Sequence, residues 1–144
     1  MVGSSVAKKL SNSSKVKNLI TSTREDTDLF SSEQTKKLIE ENKPDVLIIA
    51  AAKVGGILYN NTNRTEFILE NLKININLLE SCLNFPKIKI INLGSSCIYP
   101  LEANNPINEN EFMNGKLEPT NSPYAMAKLT AIELGRALSQ QHGH

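Results

Sequence analysis

Two short apolar runs, Asp45–Ala52 (DVLIIAAA) and Lys87–Leu93 (KIKIINL), each follow a helix-like stretch closed by a proline. That alternation constrains the fold more than any other feature of the chain. A run that is apolar throughout and of strand length suits a parallel strand covered on both faces. The stretch before the first run, Ser31–Lys43, reads as a helix with Ser32 as cap and Pro44 as stop. Arg64–Phe85 is the longest helical pattern: Phe67, Ile68, Asn71, Leu72, Asn75, Ile76, Leu78, Leu79 and Leu83 recur at helical spacing, and Pro86 ends it. Lys17–Thr21 predicts a further short strand. Glu102–Pro123, polar and proline-bearing, predicts a long surface loop. Tyr124–Gln141 predicts a last amphipathic helix, with Pro123 near its first position. Strands alternating with helices predict an α/β domain on a parallel sheet, whose ligands bind at the carboxyl ends of the strands.

The 144 residues are one domain's worth of chain. A formal net charge of +1 argues against a strongly electrostatic nucleic-acid binder. No apolar run approaches the ~20 residues that cross a bilayer, and no charged-then-apolar leader opens the chain. Two cysteines are too few for a disulfide scaffold or a cysteine-based zinc site. The expectation is a cytoplasmic protein with no nucleic-acid or membrane partner.

The residues after each strand therefore carry the functional reading. After Lys17–Thr21 come Ser22, Thr23, Arg24, Glu25 and Asp26. In a dinucleotide-binding fold this position reads the adenosine ribose, and an Arg there accommodates a 2′-phosphate. Arg24 is placed for that task; the alternative is a surface Arg paired with Glu25 or Asp26. At the end of Asp45–Ala52 come Ala52, Lys53, Val54, Gly55 and Gly56, small residues that let a ligand approach the backbone, or a plain turn. After Lys87–Leu93 come Gly94, Ser95, Ser96, Cys97, Ile98, Tyr99 and Pro100. The serines could cap a turn, and Cys97 could pack in the core.

The last helix adds Tyr124 and Lys128, four apart and on one face. A Lys ammonium near a phenol favours the phenolate, which would make Tyr124 a usable acid or base near neutral pH. With a Ser behind a parallel strand this becomes a mechanism: Ser binds a substrate carbonyl, Tyr exchanges its proton, Lys tunes Tyr and holds a nicotinamide ribose. Cys82, inside the long helical pattern, reads as core packing.

These residues resemble the extended short-chain dehydrogenase/reductases that act on nucleotide sugars. Within them they are most similar to the GDP-L-fucose synthase family. The segments that carry the likeness are Ala50–Ile57 (AAAKVGGI), Asn60–Thr62, Leu93–Pro100 (LGSSCIYP), Leu117–Asn121 (LEPTN) and Pro123–Ala125. The resemblance implies a Rossmann-like doubly wound parallel sheet, NADP(H) as cofactor, a GDP-sugar substrate and a homodimer built on the helices at Arg64–Phe85 and Tyr124–Gln141. It implies Ser95, Tyr124 and Lys128 as a catalytic triad and Cys97 as an acid/base for epimerisation. It further implies Arg24 on the 2′-phosphate, and Gly3, Ala51, Ala52, Leu93, Gly94, Ser95, Ser96, Tyr124 and Lys128 along the cofactor. The competing readings are another sugar-nucleotide epimerase or dehydratase with tightly bound NAD, and a non-catalytic α/β binding module. Cys97 and Arg24 speak against the first, and the intact triad against the second.

The family opens with a strand and a glycine-rich turn. Here Met1-Val2-Gly3-Ser4 corresponds to the end of that turn, with Gly3 as its final glycine. The expectation is thus an incomplete, partial NADP-binding domain over residues 1–144. The family's first strand, the histidine that partners Cys97 and the GDP-sugar-gripping domain would lie outside it. That strand would sit between Lys17–Thr21 and Asp45–Ala52, so the 144 residues alone are expected to be poorly stable and inactive.

Overall fold

A computed structural model describes all 144 residues. In chain order the elements are α1 (Val2–Ser11), α2 (Ser32–Asn42), β1 (Val46–Ile49), α3 (Ile57–Thr62), α4 (Arg64–Ser81), β2 (Lys89–Asn92) and α5 (Ser122–His142). Short 3-10 turns lie at Ser96–Ile98 and Glu109–Glu111.

Local chemistry accounts for the boundaries. The Ser31 hydroxyl accepts from the Gln34 amide and caps α2. At the other end Lys43 takes a left-handed backbone (φ 40°), and Pro44, lacking an N–H, cannot continue the helix. The two strands pair in parallel, with Val46 opposite Lys89 and Ile49 opposite Asn92, and α3 and α4 form the crossover. α4 packs most extensively on α5 and also on α2. Ile49 of β1, Ile74, Leu78 and Leu79 of α4 and Leu138 of α5 form one core cluster. Ile39, Cys82 and Ile88 form a second, so Cys82 is the core residue expected. Burial pushes its thiol pKa up to about 11, which leaves it unreactive.

Three expectations need correction. Lys17–Thr21 forms no strand: it is exposed throughout, and no backbone ladder bonds reach it. A strand exists by virtue of its partner, and none of these residues forms one between this segment and β1. β1 is not covered on both faces: Val46 is 45% exposed and only Ile49 is fully buried, and β2 pairs with one edge alone, leaving the other open. On α4, Ile76 points outward and Ile74 inward, so the buried stripe is Phe67, Asn71, Ile74, Asn75, Leu78 and Leu79.

Candidate active site

The site forms where the carboxyl end of β2 meets the first turns of α5. Beyond β2 the chain stays extended at Ser95 (φ −156°, ψ 147°) and then closes into the turn Ser96–Ile98, anchored by buried Ile98. That turn folds Cys97 back beside Ser95, so Ser95 Oγ and Cys97 Sγ lie 3.0 Å apart in hydrogen-bond contact. On α5, Tyr124 and Lys128 share one face, with the Lys128 Nζ 5.9 Å from the centroid of the Tyr124 ring. Lys128 is 4% exposed and donates to the Leu93 carbonyl at 2.9 Å, which fixes helix and strand end to each other.

The start of α5 is held from outside. Arg64, at the head of α4, donates to the Pro119 carbonyl (2.7 Å) and the Ser122 hydroxyl (3.1 Å). The Glu118 carboxylate accepts from the amides of Thr120 and Asn121 and from the Thr120 hydroxyl. Those bonds, with Arg64 nearby, hold the carboxyl below its usual range.

The loop after β1 forms the other wall. Asn71, fully buried on α4, accepts from the Lys53 amide at 3.0 Å and donates to the Lys53 carbonyl at 3.1 Å. Lys53 Nζ pairs with Glu70 at 2.7 Å, and that bond raises the ammonium above its ordinary value. At Gly55 a Cβ would meet the Tyr59 ring at 2.6 Å and Phe67 at 3.0 Å, so any side chain there forces a neighbour to shift. Gly56 is the N-cap of α3. Tyr59, Phe67 and Tyr124 then stack edge to face, with centroids 5.4 and 6.3 Å apart.

Between these walls lies a cavity of about 280 Å³, lined by Ser95, Cys97, Asn121 and Tyr124 on one side and by Val54, Gly55, Asn60 and Phe67 on the other. The structure thus brings together Ser95, Cys97, Tyr124, Lys128 and Leu93. One expectation fails: the Tyr124 phenol stands above, not below, its ordinary pKa. Burial is the main cause and Cys97 adds to it, while the nearby Ser95 hydroxyl acts in the opposite direction. Lys128 has its own ammonium lowered by burial, partly offset by Cys97.

The residues expected along the cofactor form a second group. Gly3 sits in the first turn of α1, and a Cβ there would touch Ala50 at 3.4 Å, at the carboxyl end of β1 just before Ala51 and Ala52. A helix N-terminus against a strand end with small residues is a setting that accepts a pyrophosphate. Gly94 and Ser96 are exposed beyond β2. Arg24 is exposed and lies over the Phe30 ring at 5.7 Å. Asp26 does not pair with it but accepts from the Thr23 amide and hydroxyl, so the guanidinium keeps its donors free. Asn60 and Asn121 carry no titrating group, and nothing in their spacing marks them as site residues in the sequence.

The sequence pattern of the NAD dependent epimerase/dehydratase family matches residues 1–144. A GDP-L-fucose synthase of Sinorhizobium fredii is 42% identical over 143 residues, which are 99% of this chain and 45% of that protein. The chain therefore spans about 45% of the length of that curated relative. Among solved structures, one titled DdhaC superposes with a TM-score of 0.92 at 36% identity, over 99% of this chain and 41% of its own. A GDP-L-fucose synthetase from Naegleria fowleri bound to NADP gives 0.84 at 28% identity, over 95% and 41%. The fold is that of the Rossmann-type members of this family.

Proposed function

The chain belongs to the NAD dependent epimerase/dehydratase family, and from that premise we propose that it is the cofactor-binding and catalytic part of a GDP-L-fucose synthase. The reaction is 3,5-epimerisation and 4-reduction of GDP-4-keto-6-deoxy-D-mannose. The observation that carries the reading is the meeting of Ser95, Cys97 and Tyr124 around one cavity, with Lys128 behind the tyrosine.

The chemistry suits the residue types. The substrate's 4-keto group acidifies the protons on C3 and C5, so inversion at each needs a group that removes a proton and one that returns it. Cys97 is one such group, since a thiol works in either direction. Ser95 hydrogen-bonds the C4 oxygen and Tyr124 gives it a proton when C4 is reduced. A phenol held protonated by burial suits that acid role. NADPH, when bound, supplies the hydride for C4. Its pyrophosphate is assigned to the α1 N-terminus at Gly3 and its 2′-phosphate to Arg24. The strand-end residues Ala51, Ala52, Leu93, Gly94 and Ser96 line its path, and Lys128 holds the nicotinamide ribose.

The same proposal carries a cytoplasmic homodimer through α4 and α5. Their outer faces leave Leu69, Ile76 and Met126 exposed, and no helix of the chain is long and apolar enough to cross a membrane. The test is consumption of NADPH by the full-length protein with GDP-4-keto-6-deoxymannose. The product expected is GDP-L-fucose. Arg24→Leu is expected to raise the KM for NADPH about tenfold and leave NADH use unchanged, because only the former carries the extra phosphate. Equal losses with both cofactors would remove Arg24 from that role.

A further inference from the structure

We propose that Asn60 and Asn121 are the receptors for the two free hydroxyls of the sugar ring. The inference rests on the functional reading above and adds the residues that orient the ring. Both asparagines line the cavity that holds Ser95, Cys97 and Tyr124. Each has a buried carboxamide oxygen with no hydrogen-bond partner. In a folded interior such acceptors are uncommon, and on a residue that lines a cavity one suits a donor brought by what enters it.

Asn60 is 6% exposed, and its orientation is determined. Its Nδ2 donates to the carbonyls of Gly55 (2.7 Å) and Gly56 (3.1 Å), so the amide cannot be turned round without setting oxygen against oxygen. The free atom is therefore an acceptor. Asn121 occupies the N-cap position of α5, yet its side chain makes no capping bond. An asparagine there ordinarily caps; this one leaves its oxygen without a partner beside the cavity. Asn71 provides the contrast: its oxygen and both its N–H groups are used on the Lys53 loop and the Phe67 carbonyl. Asn75 and Asn92 also carry unpartnered oxygens, but neither lines the cavity.

The donor count of the substrate matches. In a GDP-4-keto-6-deoxyhexose, C4 is a carbonyl, C6 a methyl and C1 bears the phosphate, which leaves hydroxyls at C2 and C3 as the ring's only donors. The Asn60 oxygen, fixed by its two bonds, would seat one hydroxyl, and the Asn121 carboxamide, which no hydrogen bond holds, is free to turn its oxygen to the other, setting C3 and C5 against the acid/base groups while the bond to hydrogen at C3 breaks.

The experiment is a cycle in the full-length protein. Wild type, Asn121→Leu, Asn121→Asp and Asn60→Ala are each assayed with the natural substrate and with analogues lacking the C2 or the C3 hydroxyl. Asn121→Leu is expected to raise the sugar-nucleotide KM about 3- to 10-fold, the weight of one hydrogen bond, with the KM for NADPH unchanged. That penalty should vanish with one of the two analogues, and Asn121→Asp, which keeps an acceptor, should restore binding. Asn60→Ala should lose its penalty with the other analogue. An unchanged KM in Asn121→Leu, or an equal loss with all three substrates, overturns the inference while leaving the functional reading intact. A wild type that does not turn over the natural substrate overturns both.

Discussion

Tyr124 is subject to opposing influences, and their balance is measurable. Burial and Cys97 hold its pKa above the ordinary 10.0, and the nearby Ser95 hydroxyl pulls it down. If the protonated phenol is the acid of the reduction, the rate falls only as pH rises through that elevated value. The basic limb of kcat/KM is therefore expected above the usual tyrosine range. Ser95→Ala should move it further up and Cys97→Ser should move it down. Limbs that stay fixed in both variants would mean another group titrates. For stability the sign also follows. Tyr124, charged less readily in the fold than out of it, costs stability only as pH rises above 10.0. Lys128, with its pKa lowered by burial, costs stability fully below its folded pKa, and that cost is relieved as pH rises towards 10.5. Gly55 gives a second residue-scale expectation. Gly55→Ala meets the buried Phe67 and should cost about 1–3 kcal/mol in a urea titration. Gly56→Ala, with open space, should cost less than about 0.5 kcal/mol. At this scale the residue types Ser95, Cys97, Tyr124 and Lys128 were legible from motif and spacing. The direction of the tyrosine shift was not, because burial is a property of the packed site.

Elements explain how loops without regular structure hold a site. The stretch between β1 and α3 has no ladder of its own, and α4 supplies one through the two bonds from Asn71 to Lys53. Asn71→Leu would strand both Lys53 groups and is expected to cost about 1–3 kcal/mol. Hydrogen exchange at the Lys53 amide should then become fast; an amide that stays protected would mean the clamp lies elsewhere. Long periodic elements were readable in advance: α2, α4 and α5 fall close to their expected bounds, since a proline or a cap marks them. α3 was not, because six residues after a glycine pair carry no period. Lys17–Thr21 failed for the opposite reason. Its apolar residues satisfy a strand pattern, but pairing is decided by a neighbour that the local sequence does not describe.

The whole chain exposes 9782 Å². A compact monomer of 15.9 kDa would expose about 7,400 Å². The excess agrees with a two-stranded sheet, with exposed Leu19 and Ile20, and with only 20 buried residues of 144. Residues 1–144 alone are accordingly expected to unfold without a sharp transition and to bind NADPH weakly. A cooperative melt together with micromolar NADPH binding would contradict this. The chemistry itself is best tested in the full-length protein, by following NADPH consumption and deuterium uptake at C3 and C5 of GDP-4-keto-6-deoxymannose in heavy water. Tyr124→Phe should keep the exchange and lose most of the reduction, while Cys97→Ser should lose exchange more than reduction. Tyr124→Phe consuming NADPH at the wild-type rate, or Cys97→Ser exchanging both protons as before, would contradict the assignment of this site.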